Sequence, residues 1–158
     1  MNERRKLGEQ SIGAVIAYRP SHSLHKQFVL LKSPRGDWNF VKGHEENQET
    51  DHDTLKREIF EETGITSFNI FNYLGNIKYK IMKAGLPVQK EVKFYYVTTD
   101  HNQVILSNEH VDYIWVYYEQ ARKLLTFSQS NLILEKIMNT AYCMIKCCHE
   151  VYPYRNQN

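Results

Sequence analysis

The chain is poor in cysteine, and its three thiols, Cys143, Cys147 and Cys148, crowd into one stretch. A secreted fold stapled by disulfides spreads its cysteines along the chain, so this arrangement does not read as such a framework. Excess charge of one sign is also lacking. The formal net charge of +2 is too small to argue by itself for a nucleic-acid or membrane partner. No apolar run is long enough to cross a bilayer, and no signal-peptide pattern follows Met1. Repeats, low-complexity tracts and clear linkers are absent. The expectation is one domain over 1–158, cytoplasmic and without a membrane partner, and nothing specifies an oligomeric state. What is present is ordinary globular usage: 158 residues, 42% hydrophobic and 24% charged, enough to bury a core unaided.

Residues 1–10 are polar and expected to be loose. Residues 11–18 are rich in strand formers, with Gly13 where a strand bulges or another backbone approaches. A second strand is expected at 27–32, a turn at 34–37, and a polar loop from Gly43 to about Asp51. A helix is expected from Thr50 or Asp51 to Thr63, with Thr50 as N-cap and Asp51 and Asp53 in the first turn. Leu55, Ile59 and Phe60 form its apolar stripe, and Gly64 ends it in a left-handed conformation. Strands follow at 68–82, 88–98, near 104–106 and at 113–118. A short helix at 119–125 precedes an amphipathic one at 131–148. Strands on both sides of a buried helix imply an α+β or α/β/α domain. On the last helix Cys143 and Cys147 share a face while Cys148 turns away, and no Cys-x-x-Cys occurs. The thiols, with His149 beside them, therefore read as buried or incidental rather than as a zinc site.

The strongest signal lies in residues 43–65, GHEENQETDHDTLKREIFEETGI. Glu58, Glu61 and Glu62 are three and four residues apart, so one helix face carries three carboxylates that repel each other. A structural helix gains nothing from that placement. A hard divalent cation resolves it, because Mg²⁺ takes oxygen ligands and suits one or two carboxylates plus substrate phosphates.

The same segment matches the Nudix signature at every defined position: Gly43, Glu49, Arg57, Glu58, Ile59, Glu61, Glu62, Gly64 and Ile65. Seven fixed residues at ordinary usage coincide by chance in fewer than about one window in a hundred million. The chain therefore resembles the Nudix hydrolases, which implies an α/β/α sandwich around a mixed sheet and cleavage of a phosphoanhydride bond. By that resemblance Glu58, Glu61 and Glu62 hold Mg²⁺, with Mn²⁺ as an alternative. Arg57 orients the site by pairing with a glutamate such as Glu49, Gly43 lets the backbone approach a metal, and Gly64 stops the helix. The general base is left open among Glu62, Glu58 and a glutamate outside the signature.

Two flanking segments resemble the asymmetric diadenosine tetraphosphate hydrolases. Trp38-Asn39-Phe40-Val41-Lys42-Gly43-His44 is similar to that group's entry to the signature. Ser107-Asn108-Glu109-His110, with Tyr113 and Trp115 after it, is similar to a later motif. Lys42 and His44 are then candidate phosphate contacts, and Glu109 a further metal ligand or base. A basic stretch through Lys78, Lys80, Lys83, Lys90 and Lys93 suits a polyphosphate, and Tyr79, Tyr95 or Tyr113 is a candidate for stacking on adenine. Trp38, Phe40 and Trp115 read as core. Val41 stands where the group usually has proline, and Asn47-Gln48 replaces its common Pro-Gly, changes of loop stiffness rather than of ligands. The expected partner is a nucleotide polyphosphate, with diadenosine tetraphosphate cleaved to ATP and AMP. Alternatives are a triphosphorylated RNA 5′ end, ADP-ribose, an oxidised dNTP, or a non-catalytic module that senses a nucleotide.

Overall fold

Alternation along the strands decides the architecture. In β1 (Gly8–Tyr18) Ile12, Ala14 and Ile16 point to one face while Val15 and Ala17 point to the other. In β2 (Gln27–Lys32) Val29 and Leu31 oppose Phe28 and Leu30 in the same way. Both faces are apolar, so the sheet needs a helix layer on each side. The structure, a computed structural model, describes residues 8–149, with side chains through residue 139. Its sheet has seven strands, completed by β3 (Trp38–Asn39), β4 (Val41–His44), β5 (Asn69–Lys83), β6 (Leu86–Thr99) and β7 (Asp112–Tyr117). Helix α1 (Asp51–Thr63) covers one face through Leu55 and Ile59. Helices α2 (Tyr118–Leu124) and α3 (Ser128–His149) cover the other through Ala121, Ile133, Leu134 and Ile137.

The sheet is mixed. β1 runs parallel to β6 along its whole length and antiparallel to β4 from Ser11 to Ala14. β5 and β6 form a long hairpin whose turn residues Ala84 and Gly85 both have positive φ, 49° and 77°, the backbone twist that two-residue hairpins favour. Gly13 lies opposite Lys42 and Phe94, and a Cβ there would meet the Phe94 ring and the Val41 carbonyl. Its need for glycine is thus a close approach.

Some expectations required correction. Gly8, Glu9 and Gln10 are not loose: they pair with Gln89, Lys90 and Glu91 of β6. Residues 1–7 lie outside the described residues. Gly43 and His44 end β4, so the loop is shorter than expected. Residues 104–106 form no strand, because Ile105 donates its backbone N–H to the Thr63 carbonyl at the end of α1 instead of joining the sheet. Phe60 leaves the apolar stripe and is mostly exposed.

Candidate active site

Helix α1 begins with a capping box: Thr50 Oγ1 accepts from Asp53 N–H, and Asp53 accepts from Thr50 N–H. It ends at Gly64, φ 68°, whose N–H donates to the Phe60 carbonyl. With both ends fixed, the one-turn spacing puts Arg57, Glu58, Glu61 and Glu62 along the side that meets β4.

Arg57 is the hub. Its Nε donates to Glu49 Oε1 at 2.7 Å and its Nη2 to Glu49 Oε2 at 2.9 Å, a two-pronged bond. Nη2 also donates to the His44 carbonyl at 2.8 Å, and Nη1 reaches Glu58 at 2.7 Å and Glu61 at 3.2 Å. Glu49 also accepts from Thr54 Oγ1 at 2.8 Å. The guanidinium holds the Glu49 carboxyl at about 2, well below its ordinary value. Glu58 moves the opposite way: burial first, then the charges of Glu62 and Glu61, push its carboxyl up despite Arg57. Gly43 has no room for a side chain, because a Cβ there would overlap the Glu58 carboxylate. The backbone approach expected of Gly43 is therefore, in this structure, an approach to Glu58.

Glu62 is 5% exposed. Its Oε2 accepts from the Lys42 backbone N–H at 3.2 Å, and its Oε1 lies 3.0 Å from His110 Nε2. Among the described residues no three acidic, histidine or cysteine side chains converge on one point, since Arg57 draws Glu58 and Glu61 to its own Nη1. The donors are nonetheless all carboxylate oxygens, and the raised Glu58 carboxyl is the condition that a nearby cation relieves.

Strand β4 links this cluster to the other sheet face. While the Lys42 N–H serves Glu62, its side chain lines a cavity of about 820 Å³ between β3, β4 and α3. Arg35, Tyr79 and Phe127 line it as well, over Phe40 and Phe94, whose rings pack edge to face at 5.9 Å. Glu58, Glu61 and Glu62 do not line this cavity, so Lys42 is the shared element. Burial pushes the Lys42 ammonium down, and the same cause, followed by the charge of Lys42, lowers Lys90. Lys90 Nζ lies 3.3 Å from His44 Nε2, and His44 in turn meets Glu9 at 3.1 Å. Lys83 also pairs with Glu9.

The strands split the basic stretch. Lys83 and Lys90 fall on the cavity face with Tyr79, whereas Lys78 and Lys93 turn toward Glu91 and Asp51 on the α1 face. Lys80 is exposed and alternates with Tyr79. Tyr95 also lies away from the cavity: its hydroxyl donates to Asp51 Oδ2 at 2.8 Å beside Lys93. Burial first, then Asp51, pushes that hydroxyl up to about 12. Replacing Tyr95 with Phe should lower unfolding stability in urea by about 0.5–1.5 kcal/mol, one hydrogen bond's worth, and leave KM unchanged. A raised KM would put the Tyr95 hydroxyl against the substrate. Glu109 is exposed, and its neighbour His110 is the residue that faces Glu62. Sequence reasoning singled out neither His110 nor Glu9. The first sat inside a quoted motif, while the second carried no signal, being placed by the β1–β6 register. The side chains of Cys143, Cys147, Cys148 and His149 lie outside the described residues.

The sandwich and the Arg57-centred carboxylates agree with the family whose model matches residues 10–135, the NUDIX domain. The chain belongs to that family and is a Nudix hydrolase, acting on phosphoanhydride bonds. Among curated relatives, the mouse asymmetrical bis(5′-nucleosyl)-tetraphosphatase is 32% identical over 121 residues, covering 70% of this chain and 77% of the relative. The pig enzyme of the same description shows the same identity and coverage. Among solved structures, a C. elegans Ap4A hydrolase binary complex is 25% identical with a TM-score of 0.71, covering 85% of this chain and 98% of that one.

Proposed function

We propose that this hydrolase cleaves dinucleoside polyphosphates off-centre, taking diadenosine tetraphosphate to ATP and AMP with Mg²⁺ or Mn²⁺. The observation that carries the reading is the double role of Lys42, whose N–H holds Glu62 while its side chain enters the aromatic cavity. The cavity has the size of small-molecule sites. Tyr79 and Phe127 offer faces for a base, and Lys42 and Arg35 offer charge for phosphates. A dinucleotide with one base in the cavity and its phosphates running past Lys42 toward the carboxylates would be attacked away from its centre, which supports the off-centre reading. Curated relatives carrying the asymmetrical tetraphosphatase description support the same substrate class.

Glu58, Glu61 and Glu62 are the residues that would hold the divalent ion the family typically uses. When bound, such an ion supplies positive charge to the phosphate oxygens and makes water a better nucleophile at neutral pH. Water adds its oxygen to one phosphorus, and the bridging oxygen departs with the other nucleotide. Arg57 keeps the helix and the preceding loop in register, and Lys42, Lys90 and His44 bind and orient the polyphosphate.

The test is product analysis by ion-exchange chromatography with Mg²⁺, comparing the wild-type chain with Glu62→Gln. ATP and AMP from diadenosine tetraphosphate, lost in the variant, are the expected products. ADP alone would mean central cleavage and overturn the off-centre reading. Turnover solely of triphosphorylated RNA, ADP-ribose or a dNTP would replace the substrate. No turnover of any of these would favour a nucleotide-sensing module.

A further inference from the structure

We propose that His110 is a positioning residue that fixes the carboxylate of Glu62; the inference rests on the reading that Glu62 acts at the metal and the phosphate. Glu62 is buried at the last turn of α1, and a glutamate side chain there has several rotamers to choose among. Its Oε2 is tethered to β4 through the Lys42 N–H. Its Oε1 meets only His110, at 3.0 Å from Nε2, among the hydrogen bonds and ion pairs of the described residues.

The segment that delivers the ring is pinned at several points. Ile105 N–H donates to the Thr63 carbonyl, Ser107 N–H to the Glu62 carbonyl, and Val111 N–H to the Lys32 carbonyl. His110 N–H itself donates to the Ser107 carbonyl, closing a tight turn. The ring therefore approaches Glu62 from a loop anchored to both the end of α1 and the end of β2. The turn faces His110 inward and leaves Glu109 exposed.

A carboxylate oxygen accepts, so a ring nitrogen that engages Oε1 does so as an N–H donor. The contact is at ion-pair distance but short of hydrogen-bond alignment, and both ring nitrogens are buried without a hydrogen-bond partner. His110 thus holds a buried, unused donor directly beside Glu62. Turned onto Oε1, an N–H of that ring would add a second tether to the one that the Lys42 N–H gives Oε2. Groups that orient a metal ligand from behind typically matter about 10- to 100-fold in affinity or activity.

The test combines metal binding with turnover, comparing His110→Phe, which keeps a ring without a donor, and His110→Gln, which places an amide near Nε2. Each is made in the wild-type and Glu62→Gln backgrounds. Binding of Mn²⁺ alone, read by electron paramagnetic resonance, should weaken about tenfold in His110→Phe and recover in His110→Gln. The effect of His110→Phe should vanish in the Glu62→Gln background, because the ring acts through that carboxylate. For the substrate that the chain turns over, kcat should fall with Mn²⁺ affinity while KM holds. Unchanged Mn²⁺ binding in His110→Phe overturns the proposal. So does equal loss in both His110 variants tracking a shared fall in Tm, or a loss that persists in the Glu62→Gln background. If no polyphosphate is hydrolysed but the coupling to Glu62 appears in Mn²⁺ binding, the substrate reading fails and the positioning role stands.

Discussion

Replacing Arg57 with lysine should lower kcat/KM by about 10²- to 10³-fold, with KM changing little, a cost expected when catalytic groups lose their geometry. The guanidinium makes a two-pronged bond to Glu49 and in the same plane reaches the His44 carbonyl, Glu58 and Glu61. An ammonium is a point charge on a flexible stem and cannot serve those directions together. The 45–50 loop and the helix would then lose their common register although the charge is kept. Steady-state kinetics check this, and a lysine variant within threefold of wild type would remove Arg57 from its organising role. A second signature is acid stability. Glu49 is held near 2 chiefly by its bonds to Arg57, against an ordinary value of 4.5. A carboxylate depressed in the folded state contributes stability that is fully present above the ordinary value and lost as pH falls toward the folded one. The wild-type chain should thus lose this contribution between pH 4.5 and about 2. Arg57→Ala should show a flatter stability profile over that window.

Gly43→Ala should reduce kcat by about 10²-fold, the scale attached to a misplacement of roughly 1 Å, with Tm shifted by no more than a few degrees. The added methyl would overlap the Glu58 carboxylate, which is the far end of a flexible side chain. Glu58 can swing away, so the fold survives while its oxygens leave the place that Arg57 and the strand prepared. Activity and Tm falling together would instead locate the damage in β4. Activity within threefold of wild type would show that the carboxylate position tolerates the shift.

The carboxylate face of α1 could be read directly, since helix geometry is local and residues three and four apart must be neighbours. The cap at Thr50 and the left-handed stop at Gly64 were legible for the same reason. Gln48 was less so. It holds a left-handed backbone, φ 67°, where the resemblance would put glycine, in the loop that delivers Glu49 to Arg57.

Local patterns in the amino-acid order specify which helix carries the carboxylates, which arginine stands among them, and that the sheet is covered on both faces. Those features follow from periodicities of two and of three to four residues. Which distant residues join them depends on long-range pairing. The register of β5 against β6, shifted near Tyr73, chose Lys83 and Lys90 for the cavity face and sent Lys93 and Tyr95 to Asp51. The parallel pairing of β1 with β6 brought Glu9 to Lys83 and His44. The docking of residues 105–111 on the end of α1 set His110, rather than Glu109, against Glu62. A strand shifted by one residue turns every side chain to the opposite face, and pairing between segments tens of residues apart fixes that choice.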